Sequence, residues 1–183
     1  MAEINKLLSI LRDRSTNMIS FKKASNELAI LIAESVKKEI NSESVVLVPI
    51  LRAGMALLPT FMDTFESARV GFVGIHRDEK AFPHLYYEKL PPLSATDHVI
   101  ILDPMVATGG STLVTLEKLT SIGADPTHIS IVGMIGAPEG KEAILNRFPS
   151  IHLHLAILDE KLDDKKYIFP GLGDFGDRFF GTN

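Results

Sequence analysis

The stretch Val99-Ile100-Ile101-Leu102-Asp103-Pro104-Met105-Val106-Ala107-Thr108-Gly109-Gly110-Ser111 sets how the rest of the chain is read. Its short apolar run reads as a buried strand. The run ends in one carboxylate, and a loop of small and hydroxyl residues then leads into a helical pattern from Thr112. The same alternation recurs on both sides. Apolar runs at Val45 to Ile50, Val70 to Ile75, Ile129 to Ile135 and Ile151 to Leu158 are interspersed with helical stretches at Met55 to Thr64, Thr112 to Ile122 and Glu139 to Arg147. Strands alternating with helices predict an α/β fold, a mostly parallel central sheet with helices on both faces and right-handed crossovers. Ligands of such sheets gather at the carboxyl ends of the strands, so chemistry is expected in the loops that leave those ends.

Upstream, Ile4, Leu7, Leu8 and Leu11 share one helical face, and Phe21, Ala24, Leu28, Leu31, Ile32 and Ile40 continue a similar stripe after a break near Ser15 to Ser20. Two amphipathic helices therefore precede the first strand. The segment His76 to His98 breaks the rhythm, with Tyr86-Tyr87-Glu88-Lys89-Leu90-Pro91-Pro92 at its centre. An excursion of about 20 residues inside a compact domain is usually functional or mobile, and the tyrosine stretch is a candidate lid. The tail from Asp159 onward has no clean period, and no repeat or linker divides the chain, so residues 1–183 read as a single domain.

At 183 residues the chain can bury a core without crosslinks, and its lack of cysteine excludes disulfides, thiolate-bound metals and a cysteine nucleophile. A net charge of −4 gives no electrostatic footprint for gripping nucleic acid across a whole face and leaves open only a local basic patch. The first twenty residues show no signal-peptide core. The longest apolar run, Val45 to Leu51, has seven residues and a proline. That is far short of the roughly 20 needed to cross a bilayer, so a cytoplasmic protein is expected.

Backbone N–H groups at the start of the helix after Gly110, with the hydroxyls of Thr108 and Ser111, form a cradle for a phosphate dianion, and Asp103 would lie beside it. That layout suits a sugar phosphate; an ordinary strand-to-helix turn capped by Thr or Ser is the alternative. A Walker loop fails for want of a lysine after the second glycine. In Val48-Pro49-Ile50-Leu51-Arg52-Ala53-Gly54 a strand ends in an arginine suited to fork onto phosphate or diphosphate oxygens, although a surface ion pair is equally compatible. Arg77 ends another strand and adds a second cation or a solvated charge.

In the tail, Gly171, Gly173 and Gly176 match G-x-G-x-x-G, but too few residues follow to complete a dinucleotide-binding unit. A glycine-dense tail carrying Phe175, Phe179 and Phe180 reads instead as a folded loop whose backbone could meet the edge of a small planar ligand. His152 and His154 share a strand face, without a third metal ligand beside them. Asp159, Glu160, Asp163 and Asp164 read as a solvated acidic loop.

Taken in order, VPILRAG (48–54), YYEKLP (86–91), DPMVATGGS (103–111), APEG (137–140) and PGLGDFGDRFFGT (170–182) resemble the uracil phosphoribosyltransferases, a type I phosphoribosyltransferase family. The resemblance implies transfer of the phosphoribosyl group of phosphoribosyl diphosphate (PRPP) to uracil, giving UMP. It also implies a small hood over the sheet, formed by the N-terminal helices and the C-terminal tail. Carried over by position, Asp103, Pro104, Met105, Val106, Ala107, Thr108, Gly109, Gly110 and Ser111 would hold the ribose phosphate of PRPP. Arg52, Arg77 and Asp174 would contact PRPP as well, and Ile168, Gly173, Asp174 and Phe175 would bind uracil. No nucleophile is implied; Arg52, Arg77 and Asp103 would stabilise the transition state. Magnesium is the implied companion of PRPP, held mainly by the substrate's own oxygens and water rather than by side chains alone.

One departure stands out. Family members usually carry a β-arm between the second helix and the VPILRAG strand that reaches a neighbouring subunit, whereas here only Asn41-Ser42-Glu43-Ser44 separates Ile40 from Val45. The lead-in before Leu7 is also short. The implied homodimer loses that contact, while no proposed site residue falls in the missing segment. Two other readings remain at this stage: a non-catalytic UMP- or PRPP-binding relative, such as an RNA-binding pyrimidine regulator, and an enzyme for orotate. The acidic balance counts against the first. The second needs a cation in the base loop, where only Arg178 is near.

Overall fold

The computed structural model describes residues 2–78 and 82–182, with the side chain of Arg77 left out. Two helices open the chain, α1 (Ala2–Arg12) and α2 (Met18–Glu39), and Asn17 caps the second by accepting from Ser20 N–H at 2.9 Å. Strand β1 (Val45–Leu51) leads through a 3-10 turn (Ala53–Ala56) into α3 (Leu58–Thr64). Then come β2 (Arg69–Val70), β3 (Phe72–Arg77), β4 (Pro83–Lys89), β5 (His98–Leu102), β6 (Met105–Val106) and α4 (Gly110–Ser121). The chain continues through β7 (Ile129–Gly136), α5 (Pro138–Arg147), β8 (His152–Leu158), β9 (Lys161–Leu162), β10 (Ile168–Phe169) and α6 (Phe175–Phe180).

Among the described residues the main sheet has eight strands, and the short ones extend their neighbours. β2 and β3 both run along β1, and β5 and β6 both run along β7 with the Asp103-Pro104 step between them. The order across the sheet is β4, β3, β1, β5, β7, with β8 on the far side of β7. Among the described strands of this sheet, β4 alone is antiparallel.

β1, β5 and β7 are buried on both faces, which is why they read as unbroken apolar runs rather than alternating ones. Their side chains split between two cores. Leu47, Ile100, Leu102 and Val132 pack with Leu11, Phe21, Leu28 and Val36 under α1 and α2; Val46, Val48, Ile101 and Ile131 pack with Leu116, Leu119 and Ile144 of α4 and α5. The expected two-sided layering is therefore present. The expected hood is present too: Phe175 of α6 meets Phe21 of α2 at 5.4 Å between ring centroids, inside the same core.

Several boundaries differ from expectation. Val70 to Ile75 is divided at Gly71 between β2 and β3, with Gly71 N–H donating to Leu47 O at 2.9 Å and the offset to β1 the same on both sides. The helix expected from Met55 begins as a 3-10 turn, with Pro59 in the first turn of α3. The excursion after His76 contains β4, which pairs with β3. The tail is ordered as a β9–β10 ladder followed by α6, capped at its start by Asp174 and at its end by Gly181. Asp159 is not solvated: its side chain is 2% exposed and bonded to Arg12. No described helix is long and apolar enough to cross a membrane.

Candidate active site

Pro104 has no N–H to give the ladder, so β5 ends at Leu102 and the sheet resumes at Met105. The carbonyl of Pro104 still serves the sheet, accepting from Met134 and Ile135 N–H at 2.9 and 3.1 Å. This interruption leaves Asp103 at the mouth of a cleft, where it accepts from Thr112 Oγ1 at 3.3 Å and from Met105 N–H at 3.4 Å. The cleft, about 520 Å³, is also lined by Arg52, Ala53, His76, Tyr86, Met105, Ser111, Asp174 and Gly176.

A second cavity of about 380 Å³ adjoins it and shares Ala53, Asp103, Met105, Asp174 and Gly176. Its other walls are Asp78, Ala107, the run Lys165-Lys166-Tyr167-Ile168, Gly173 and Phe175. The two cavities thus meet across two carboxylates, with the arginine and the start of α4 on one side and the tail loop on the other. A larger groove of about 680 Å³ between α2 and β8 holds none of the predicted residues.

The predicted residues are not all brought to the cleft. Arg52, Asp103, Met105, Ser111 and Asp174 line the first cavity, and Ala107, Ile168, Gly173, Asp174 and Phe175 line the second. Pro104 and Val106 are buried in the sheet. Thr108, Gly109 and Gly110 line neither cavity; they carry the chain into α4, with Thr108 Oγ1 accepting from Gly110 N–H at 3.3 Å. The backbone of Arg77 ends β3, and its side chain lies outside the described residues.

Arg52 is already engaged at the cleft edge. Its guanidinium donates to Asp177 Oδ1 and to Thr182 Oγ1, each at 3.2 Å. Asp174 accepts from Asp177 N–H at 2.9 Å and so anchors the start of α6. Arg178, the cation that the sequence suggested for the base loop, is spent on backbone carbonyls of Leu11, Leu172 and Asp13.

Sequence reasoning missed His76, Lys165, Lys166 and Tyr167 as lining residues. His76 stacks on His84 at 5.4 Å and faces Tyr86 at 5.8 Å between ring centroids. Its position directly before Arg77 at the end of a strand was the available signal. For the two lysines it was their place just ahead of Ile168 in the tail.

Asp103 and Asp174 are hard oxygen donors that border both cavities, which fits a divalent cation. Among the described residues no group of three or more His, Cys, Asp or Glu side chains is placed to hold a metal, His152 and His154 included. Such a cation would take most of its ligands from substrate and water.

The family model for uracil phosphoribosyltransferase matches residues 35–182, which contain both cavities and the loop between them. The chain belongs to the uracil phosphoribosyltransferase family. It is 40% identical to the uracil phosphoribosyltransferase of Mycoplasmoides gallisepticum, over 98% of this chain and 95% of that protein. With the enzyme of Streptococcus suis it shares 39% identity over 98% and 94%. Both alignments run over 199 positions, more than the 183 residues present here, so each relative has segments with no counterpart in this chain.

Among solved structures, the AQ2163 protein from Aquifex aeolicus superposes with a TM-score of 0.89 at 34% identity, covering 98% of this chain and 95% of that one. A purine phosphoribosyltransferase from Pyrococcus horikoshii, at 15% identity, shares the fold with a TM-score of 0.59 over 75% and 84% of the two chains.

Proposed function

We propose that the chain transfers the 5-phosphoribosyl group from PRPP to uracil, forming UMP and releasing diphosphate. The observation that carries this reading is the pair of cavities joined at Asp103 and Asp174, one reaching the phosphate loop and the other the tail loop. A sugar phosphate and a planar base would have to meet there for a bond to form between them.

In this reading the ribose phosphate lies against the start of α4, near Ser111, where the positive end of the helix dipole favours an anion. Asp103 takes the ribose hydroxyls. Arg52 faces the diphosphate; the second expected cation, Arg77, is described only through its backbone at the end of β3. As the C1–O bond of PRPP breaks, the diphosphate leaves with the electron pair, N1 of uracil bonds to C1, and the N1 proton is lost. The residues contribute position and charge rather than a nucleophile. Magnesium, when bound with PRPP, would neutralise diphosphate charge, and Asp103 and Asp174 are the side chains that would help to hold it.

Uracil presents O2, N3–H and O4, a pattern that backbone groups around Ile168 and Gly173 to Phe175 can match. Cytosine reverses it at N3 and C4 and leaves buried groups mispaired, at about 1–3 kcal/mol each. Orotate would need a cation beside the base; Arg178 is engaged with carbonyls, but Lys165 and Lys166 line the same cavity, so competition with orotate is what separates the two bases.

The test is incubation with PRPP, magnesium and labelled uracil, with UMP as the readout and cytosine and orotate as competitors. UMP formation with strong preference for uracil is expected. A folded protein that makes no UMP, or that turns over orotate or cytosine at equal rates, overturns the assignment. A cytoplasmic homodimer completes the reading, the dimer being checked by sedimentation.

A further inference from the structure

The tail loop is bolted to the end of α1 by an ion pair whose carboxylate is buried and whose guanidinium is partly exposed. Arg12 closes α1 and Asp159 follows β8, and the guanidinium forks onto the carboxylate at 2.9 and 2.5 Å. Both members also hold one residue of the loop: Gly171 N–H donates to Asp159 Oδ2 at 2.9 Å, and Arg12 Nη1 donates to Gly171 O at 2.9 Å. Gly171 has a φ of 58° and a Cβ there would strike the carbonyl of Ile168, so this turn accepts only glycine.

The same elbow of the chain grips the next residues. Arg178 donates to Leu172 O within the loop and to Leu11 O and Asp13 O beyond it, and the Arg14 guanidinium occupies the space a Cβ on Gly173 would need. Residues 171–173 are therefore held from outside the base cavity, while Ile168, Gly173, Asp174 and Phe175 face into it.

A buried ion pair is a weak source of stability, since desolvation offsets its attraction and an apolar pair of similar size often serves as well. What apolar side chains cannot do is take both the N–H and the C=O of Gly171 and fix the plane of the backbone. We propose that Arg12 and Asp159 are positioning residues for the base: they orient the 171–173 backbone so that the following groups meet the edge of uracil. Uracil affinity and base choice then depend on them far more than PRPP binding, which meets this loop only through Asp174. This rests on the uracil reading given above.

Removing one partner strands a buried charge, so the informative variant removes both, Arg12→Met with Asp159→Leu, alongside Arg12→Lys, which keeps the charge but loses the planar fork. For the double variant, a folded protein with a modestly lower thermal midpoint is expected, because Gly171 loses the partners of its N–H and C=O, with KM for uracil raised about tenfold or more, KM for PRPP within about twofold and a lower uracil-to-cytosine ratio. Arg12→Lys falls between the two. Amide exchange should quicken across 168–175 and stay unchanged across 103–111.

Parallel rises in both KM values, unchanged uracil kinetics, or unchanged exchange in the loop would each overturn the proposal. Should the double variant not fold, the uracil-to-PRPP split and loop exchange of Arg12→Lys decide by the same criteria. A wild-type protein that makes no UMP sinks the uracil reading instead, and the exchange pattern alone then decides whether the pair positions the loop.

Discussion

Replacing Gly140 with alanine perturbs the phosphate side of the cleft from behind, without adding or removing any group that faces it. Gly140 lies in the first turn of α5, and its α-carbon rests on the loop that precedes α4. A Cβ there would sit 2.2 Å from Ala107 O, 3.0 Å from Ala107 C and 3.1 Å from Gly109 N, against an ordinary contact of 3.4 Å or more. All three are backbone atoms of the loop, so no side chain can rotate away. Loop or helix must give by about 1 Å, the scale of misplacement that costs on the order of 100-fold in a positioned reaction.

The same overpacking costs about 1–3 kcal/mol. For a chain of this size that lowers the melting midpoint by roughly 2–12 °C. Steady-state kinetics with PRPP as the varied substrate, beside calorimetry, measure both effects. Gly140→Ala should lose about 100-fold in kcat/KM for PRPP while remaining folded at 25 °C. Wild-type kinetics in a folded variant would show that the loop's position against α5 does not matter, and the placement of the ribose phosphate there would fall with it.

Asp177→Ala releases Arg52 from its carboxylate at the cleft edge; because that pair is exposed and worth about 0.2–1 kcal/mol, KM for PRPP should rise about 1.4- to 5-fold with KM for uracil unchanged. An unchanged KM for PRPP would mean that the held pose of Arg52 is not the one used. The row of imidazoles at the other end of the sheet predicts a pH effect on stability. Burial, and then repulsion from His152, His128 and His154, pulls His98 down to about 4. An unfolded histidine titrates near ~6.5, so between there and about 4 the unfolded chain binds a proton that the folded one refuses. Stability should therefore fall as pH drops through that window, and His98→Gln should flatten the slope of melting midpoint between pH ~6.5 and ~5, above most carboxylate titration. An identical slope in the variant would remove His98 as its source.

The sheet's interior was legible because β1, β5 and β7 are buried on both faces and leave unbroken apolar runs. β4 was not: six of its seven residues are exposed, and its pairing with β3 rests on backbone bonds that impose no side-chain pattern. β9, β10 and α6 are too short, at two, two and six residues, to establish a period. In the site, Arg52, Asp103 and Ser111 were found because each ends a strand or begins a helix. Asp159 was misread because an acidic run looks solvated from composition alone. Its partner, Arg12, is 147 positions away, and nothing local to either residue announces the other.

That separation bears on the order in which the molecule can assemble. The strands that hold the phosphate loop are closed by contacts between near neighbours in the chain, β5 to β7 and α4 to α5. The base side instead needs Leu11 to meet Arg178, a contact spanning 167 positions, which carries a large loop-closure entropy unless the sheet has already brought the ends together. The half that holds the sugar phosphate should therefore become native first, and the half that selects the base should be the last to lock and the first to open.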